Sequence, residues 1–313
     1  MELSTNNVSH KAQFALQFPD AQVHRREVNS FASSDSCHSS LVNNNSLFLT
    51  RNPDVWRYNA PNQKVPRRPP RMKLVLKADH LIDSTGADPI SNAALVVENG
   101  RISQITTQDK LHIGENEEAK IIAVDDGTIM AGFIEMHSHI HCSAQEDAYT
   151  HITTESNETF LMRGVQAVRA AVGSGVTTMR DLGARNEVVF PLKQAIEDGI
   201  IPGPRMMVAG TPITTTGGHC NMFGTEANTS EEVVAAIRQQ FKLGADCIKI
   251  MSTGGGFTPG TNVRAPQYPV ETLRAAVVDA ERLNLRVSAH CHAAAGVRNC
   301  VDAGIHCLIH SSW

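Results

Sequence analysis

Aromatic residues are scarce, at 5% of the 313 positions, and no window of about eighteen consecutive apolar residues occurs. The second lack argues against a helical membrane span, which needs roughly 20 such residues. Basic charge is not in excess either. Lys and Arg number 28 against 32 Asp and Glu, for a formal net charge of -4. With no basic stripe interleaved with aromatics, a nucleic-acid partner is not expected. The seven cysteines (Cys37, Cys142, Cys220, Cys247, Cys291, Cys300 and Cys307) contain no C-x-x-C pair and are odd in number. Free thiols in a reducing compartment are the expectation, not a disulfide frame or a zinc knuckle. Cys142, Cys220 and Cys291 adjoin histidines, so a thiol lining a site is the alternative. The N-terminus also lacks the apolar stretch of a secretory signal. Together these absences predict a cytoplasmic protein with a small-molecule substrate, no nucleic acid and no membrane partner. A homo-oligomer is left open.

What is present falls into three parts. Residues 1–71 are polar and aperiodic, with "SFASSDSCHSS", "VNNNS" and "VPRRPPR", and read as a disordered low-complexity extension. A transit peptide is weakened by Glu2, Asp20, Glu27, Asp35 and Asp54. A start codon placed too early is the other reading, because "MKLVLKADHL" at Met72 resembles a domain beginning. From there to about residue 130 the pattern is β. "KLVLKADHLID" alternates apolar and polar residues, and Asn99-Gly100 is a strong two-residue hairpin signal. A turn is expected at Asp126-Gly127. Residues 72–130 are read as a small N-terminal β-sandwich portion.

After Ala131 strands and helices alternate. Apolar strand candidates are 132–137, 176–181, 205–210, 246–251, 286–290 and 307–310. Helical patterns lie between most of them. "TSEEVVAAIRQQFKLGA" opens with Thr229-x-x-Glu232, a capping box, and closes at Gly244. This rhythm predicts an α/β fold with a parallel sheet, either a (β/α) barrel or a doubly wound sheet. On the barrel reading, residues 131–313 supply about six of the eight βα units of a TIM barrel. The chain would then be C-terminally truncated.

In such a barrel, chemistry gathers at the C-terminal ends of the strands. "GFIEMHSHIHC" places His137 and His139 there, two residues apart and so on the same side of an extended backbone. His290 ends the fifth strand candidate and His310 the sixth. Neutral imidazoles are good ligands for zinc and similar divalent ions. Lys249 lies inside the apolar "CIKIM", where an ammonium is costly to bury and the amine's pKa falls. It can escape as a carbamate that bridges two cations, or by pairing with an acid such as Asp181. Arg264, in the long loop "GGGFTPGTNVRAPQYP" (254–269), which reads as mobile, is a candidate for a substrate carboxylate; a solvated loop arginine is the plainer reading.

These residues, in this order, resemble the metal-dependent amidohydrolase superfamily. The match runs from Met72 to Trp313 through "AGFIEMHSH", "GVTTMRDLG", "IPGPRMMVAG", "TGGH", "GADCIKIMSTGGG", "VSAHCH" and "DAGIHCLIH". Several of these stretches are similar to the imidazolonepropionase-like group, which includes Xaa-Pro and Xaa-Arg dipeptidases. The resemblance implies a barrel flanked by a small sandwich, and two divalent metal ions, zinc the expected element. It implies that His137 and His139 bind the more buried ion and that carboxylated Lys249 bridges. His290 and His310 would bind the second ion, with His219 and His292 lining the substrate pocket. The implied reaction is hydrolysis of a C–N bond in a cyclic amide, N-acyl amino acid or dipeptide. The family's strand-eight aspartate finds no counterpart here, so no catalytic base is identified. A catalytically inactive metal-binding fragment and a mononuclear deaminase of the same superfamily are the alternatives.

Overall fold

The computed structural model describes residues 73–312, apart from 116, 143–146 and 186, together with the backbone of 46–48. The rest of the low-complexity extension, Cys37, Met72 and Trp313 lie outside the described residues. All described residues belong to one compact unit, Leu41–Trp313.

The first sheet is mixed and has five strands in the order β1-β5-β2-β3-β4. These are β1 (Ser46–Phe48), β2 (Lys73–Ile82), β3 (Ile90–Glu98), β4 (Arg101–Thr107) and β5 (Ala119–Met130). β3 and β4 form the expected hairpin, with Glu98 opposite Arg101. Asn99 and Gly100 both take positive φ, 56° and 75°, as a two-residue type I′ turn requires. The second expected turn is not one. β5 runs on through Asp126, which takes φ of 53° where the register with β2 shifts between Ala78 and His80. Asp126 donates its N–H to Asp79 Oδ2 at 2.9 Å, so the Asp-Gly signal marks a β-bulge. Leu76, Leu81, Leu95 and Ile129 form this sheet's core. Among the described residues the predicted sandwich portion is this single sheet, and three residues of the extension join its edge.

The remaining strands are all parallel. One sheet is β6 (Phe133–Ser138), β7 (Val176–Asp181) and β8 (Arg205–Val208), in that order. The other runs β10-β9-β11-β12-β13, from β9 (Ile213–Thr214), β10 (Thr225–Glu226), β11 (Ile248–Met251), β12 (Val287–Cys291) and β13 (Cys307–His310). The backbone N–H of Asp246, just before β11, donates to Val208 O of β8 at 2.8 Å. Helices follow the strands: α1 (Ala148–Thr154) and α2 (Asn157–Gly173) after β6, and α3 (Val189–Glu197) after β7. α4 (Ser230–Leu243) precedes β11, α5 (Val270–Arg282) follows it and α6 (Ala294–Ala303) follows β12. The fold is α/β with parallel sheets.

α4 starts as expected. Thr229 accepts from Glu232 N, and Glu232 reaches back to the Thr229 N–H. Its apolar stripe (Val233, Ala236, Ile237) packs with Leu273, Ala276 and Val277 of α5 against Ile248, Ile250, Val287 and Ala289. Strands buried on both faces read as apolar runs, which is why β11 and β12 were visible in sequence. Parallel strands point their C-terminal ends one way, so the residues at those ends share one rim. No helix among the described residues is long and apolar enough to cross a membrane.

Candidate metal centre

Six histidine rings meet at this rim. His137 is the penultimate residue of β6 and His139 follows the strand's end, their ring centroids 5.2 Å apart. His310 of β13 stands 5.0 Å from His137 and 4.8 Å from His290 of β12. His292 lies 4.7 Å from both His290 and His310 and stacks on the latter. His219, in the loop after β9, is 4.2 Å from His290. One nitrogen from each of His290, His292 and His310 lies within 4.8 Å of the others. His292, expected only in the substrate pocket, is therefore a third candidate ligand beside His290 and His310. Lys249 projects from β11, 1% exposed.

Two rings have their tautomer fixed by the backbone. His139 Nδ1 lies 3.0 Å from Gly183 O, and His290 Nε2 lies 3.1 Å from Gly254 O. A carbonyl oxygen only accepts, so each of these nitrogens carries the hydrogen. The lone pairs are then on Nε2 of His139 and Nδ1 of His290, free for a cation. Burial, reinforced by the Lys249 charge, pushes the ring pKa down to about 3 for His137 and about 4 for His139 and His219. Burial also takes His290 to about 2, with His219 beside it the next cause. These four rings are neutral at pH 7, the form that ligates metals.

The polar atoms left over are informative. His137 Nε2, His219 Nδ1 and Lys249 Nζ are buried with no hydrogen-bond partner. Each such atom costs about 1–3 kcal/mol unless something satisfies it. Burial brings the Lys249 pKa down to about 7, so much of the amine is uncharged at neutral pH. Asp181 does not pair with it. The carboxylate accepts from Ile140 N at 2.7 Å and Gly183 N at 3.1 Å, and burial lifts its pKa to about 7. Its task is local: it fixes the loops that hold His139. The ion-pair alternative for Lys249 is thereby corrected. Neutral imidazole nitrogens converging at one rim fit a divalent cation.

Other residues sort differently. His141, the third histidine of the same stretch, stands apart from the six rings, because β6 ends at Ser138 and the chain turns, with Cys142 N donating to His139 O. The alternation breaks, and His141 is buried in a stack on Phe160 at 5.1 Å. Cys142 and Cys220 are free thiols pushed up to about 12 by burial, which makes them unreactive. Arg264 is exposed on its loop, its N–H on Asn262 Oδ1.

The loop carries its own hydrogen bonds. Gly255 N donates to Thr261 Oγ1, which donates back to Gly255 O, and Thr253 bridges Pro266. Its glycines permit close approach. A Cβ on Gly254 would meet Asn262 O at 2.3 Å, and one on Gly255 would lie 2.4 Å from the His219 ring. Gln267, which carries no motif signal, joins three segments. Its Oε1 accepts from His219 N at 2.7 Å, and its Nε2 donates to Thr214 Oγ1 and Met251 O at 3.1 and 2.9 Å. Only the "TGGH" and "TGGG" glycines beside it hinted at backbones brought this close.

Comparison with known proteins agrees with this geometry. Residues 128–312 match the Amidohydrolase family. Ochratoxinase of Aspergillus niger is 28% identical over 270 residues, covering 76% of this chain and 54% of that protein. A crystal structure of a Xaa-Pro dipeptidase with methionine bound in its active site superposes with a TM-score of 0.69 at 31% identity, covering 76% of this chain and 61% of that one. A prolidase complexed with N-methylphosphonate-L-proline gives 0.66 at 27% identity, with 76% and 60% covered. The chain spans about half the length of the curated relatives it matches. With the family's pattern spread over more than half of its residues, the chain belongs to the amidohydrolase family.

Proposed function

We propose that this protein is a metal-dependent hydrolase of C–N bonds, acting on an amide-type bond in an N-acyl amino acid, dipeptide or cyclic amide. Support comes from family membership and from relatives described as a Xaa-Pro dipeptidase and a prolidase. We also infer that the two parallel sheets are consecutive parts of a (β/α)8 barrel, the fold of the family, joined where Asp246 N meets Val208 O.

The observation that carries the reading is Lys249, a buried amine with no hydrogen-bond partner whose charge acts on the His137, His139 and His219 rings. His137 and His139 would hold one divalent ion, and His290 and His310 the second, with zinc the expected metal. The neutral amine of Lys249 can add to carbon dioxide, forming an N–C bond and releasing one proton. The resulting anionic carbamate offsets the cations' charge. Divalent ions supply, when bound, Lewis acidity toward a carbonyl oxygen and a hydroxide nucleophile near neutral pH. The chain's own part is to present unprotonated nitrogens in fixed orientation. Gly183 and Gly254 hold the His139 and His290 rings through their carbonyls. His219, held by Gln267, would line the substrate pocket, and His292, grouped with His290 and His310, would face both the second ion and that pocket.

The test is zinc content by mass spectrometry after reconstitution, for the native chain and for Lys249→Ala, beside a hydrolysis screen of N-acyl amino acids, dipeptides and cyclic amides. Loss of metal in the variant is expected. Equal zinc in both chains removes the bridging role, and a native chain that takes up no zinc removes the reading altogether.

A further inference from the structure

Two histidines of the rim depend on one hydroxyl. Thr253 lies two residues past β11, where the chain enters the loop 254–269, and is fully buried. Its Oγ1 accepts the backbone N–H of His292 at 3.1 Å and donates its own hydrogen to Gly254 O at 2.9 Å. The same carbonyl accepts from His290 Nε2 at 3.1 Å. A hydroxyl has one hydrogen to give, and a carbonyl oxygen has two lone pairs. The Thr253 hydrogen is therefore committed, and both lone pairs of Gly254 O are taken. An unbroken run of hydrogen bonds leads from the His292 backbone, through Thr253 and Gly254, to the His290 ring. These are two of the three histidines whose nitrogens lie within 4.8 Å of one another.

The surroundings hold this hydroxyl in place. The Thr253 methyl lies against Gly296 of α6, so closely that a Cβ there would stand 2.3 Å from Thr253 Cγ2. A β-branched side chain is stiff about χ1, and here a turn of χ1 would break both hydrogen bonds and drive the methyl or the hydroxyl onto the helix. Gly254 is wedged in its turn against the Asn262 backbone. Local turn chemistry does not account for the His292 bond, because its partners are 39 residues apart. Nor does packing account for the residue type. Valine has nearly the same shape and would avoid burying a polar group, so a threonine at a fully buried position points to what its oxygen binds.

We infer that Thr253 is a positioning residue of the metal centre, its hydroxyl fixing the His292 backbone and, through Gly254 O, the tautomer and orientation of the His290 ring. The inference rests on the metal-dependent reading above for what these rings hold. Groups that orient a metal's ligands contribute to affinity without touching the ion.

The experiment uses the full 313-residue chain, cobalt(II) as the probe metal, and Thr253→Val, Thr253→Ala and Thr253→Ser. Chelator competition gives the affinity, and the visible absorption of bound cobalt reports the ligand geometry. Thr253→Val and Thr253→Ala should each bind cobalt about 10- to 100-fold more weakly, with an altered spectrum at saturation. Thr253→Ser keeps the hydroxyl and should bind as the native chain does. A second readout needs no metal: in metal-free protein with isotopically labelled histidine, ring-nitrogen chemical shifts report the His290 tautomer. It should be Nε2–H in the native chain and in Thr253→Ser, with a share of Nδ1–H in Thr253→Val. A role confined to packing would move neither signal, because valine retains the packing. Native affinity and spectrum in both Thr253→Val and Thr253→Ala, or a serine variant as weak as they are, overturns the assignment. Loss of affinity with an unchanged His290 tautomer overturns the route through Gly254 O. If Thr253→Val does not fold, Thr253→Ala against Thr253→Ser makes the same comparison. A native chain that binds no cobalt refutes the metal reading instead, and the tautomer in the metal-free chains then decides the role of Thr253.

Discussion

Replacing Lys249 with methionine should make the metal-free protein more stable, the reverse of what removing a buried structural residue does. The amine is almost fully buried without a partner, and its pKa falls from 10.5 to about 7. At ~1.36 kcal/mol per tenfold, holding it there opposes folding by roughly 5 kcal/mol wherever both states are protonated. Methionine has similar length and no charge to desolvate, and repacking returns part of the gain. A net stabilisation of about 2–4 kcal/mol near pH 7 is expected. Between pH 7 and 10.5 the unfolded chain holds a proton on this amine that the folded chain lacks. Native stability therefore rises with pH across that window, by ~1.4 kcal/mol per pH unit. Methionine contributes no such slope, so the gap between variant and native should close as pH approaches 10. Guanidinium denaturation at pH 7 and pH 9, with a chelator in carbon-dioxide-depleted buffer, measures both quantities. A variant less stable than native at pH 7, or a gap that does not narrow at pH 9, would refute the reasoning, because either result means that the amine has a satisfying partner.

Two further substitutions probe the supports of the site. Asp181→Asn leaves one acceptor where two N–H groups now bind, which should cost about 1–3 kcal/mol in thermal or chemical denaturation. Because Gly183 orients His139, zinc affinity measured against a competing chelator should also fall roughly 10- to 100-fold, and unchanged affinity would separate Asp181 from the metal centre. Gly255→Ala places a methyl 2.4 Å from the His219 ring and should destabilise the chain by about 1–3 kcal/mol as ring or loop shifts. Zinc stoichiometry should hold while the best N-acyl amino acid or dipeptide of the hydrolysis screen binds more weakly, and calorimetry of the variant checks both.

Much of this arrangement was legible from residue order alone. The apolar runs at β11 and β12 and the capping box at Thr229 are local signals that tertiary structure did not override. The histidines at strand ends could be placed because a parallel sheet sends every such end to one side. Elsewhere local signals misled. Asp126-Gly127 has turn chemistry, but pairing with β2 keeps the strand running and turns the positive φ into a bulge. His141 continues the H-x-H rhythm by sequence, yet the strand stops before it. α3, with its mixed "VFPLKQAIE", carried no clear cap and became visible only in the structure. The role of Asp181 was hidden because its partners are backbone N–H groups, which leave no trace in side-chain identity. Gln267 was hidden for a related reason: the segments that it joins are far apart in sequence.

The burial of the His139 and His290 rings also bears on how a cation would enter the site. With pKa values of about 4 and about 2, these rings have lost any competing proton well before the pH of a living cell. An unfolded chain, whose histidines titrate near ~6.5, would have to surrender protons to load in mildly acidic medium. The folded rim has already discharged them, through the free energy of burying the rings, so cation capture by these two donors would depend less on acidity than capture by an unfolded chain.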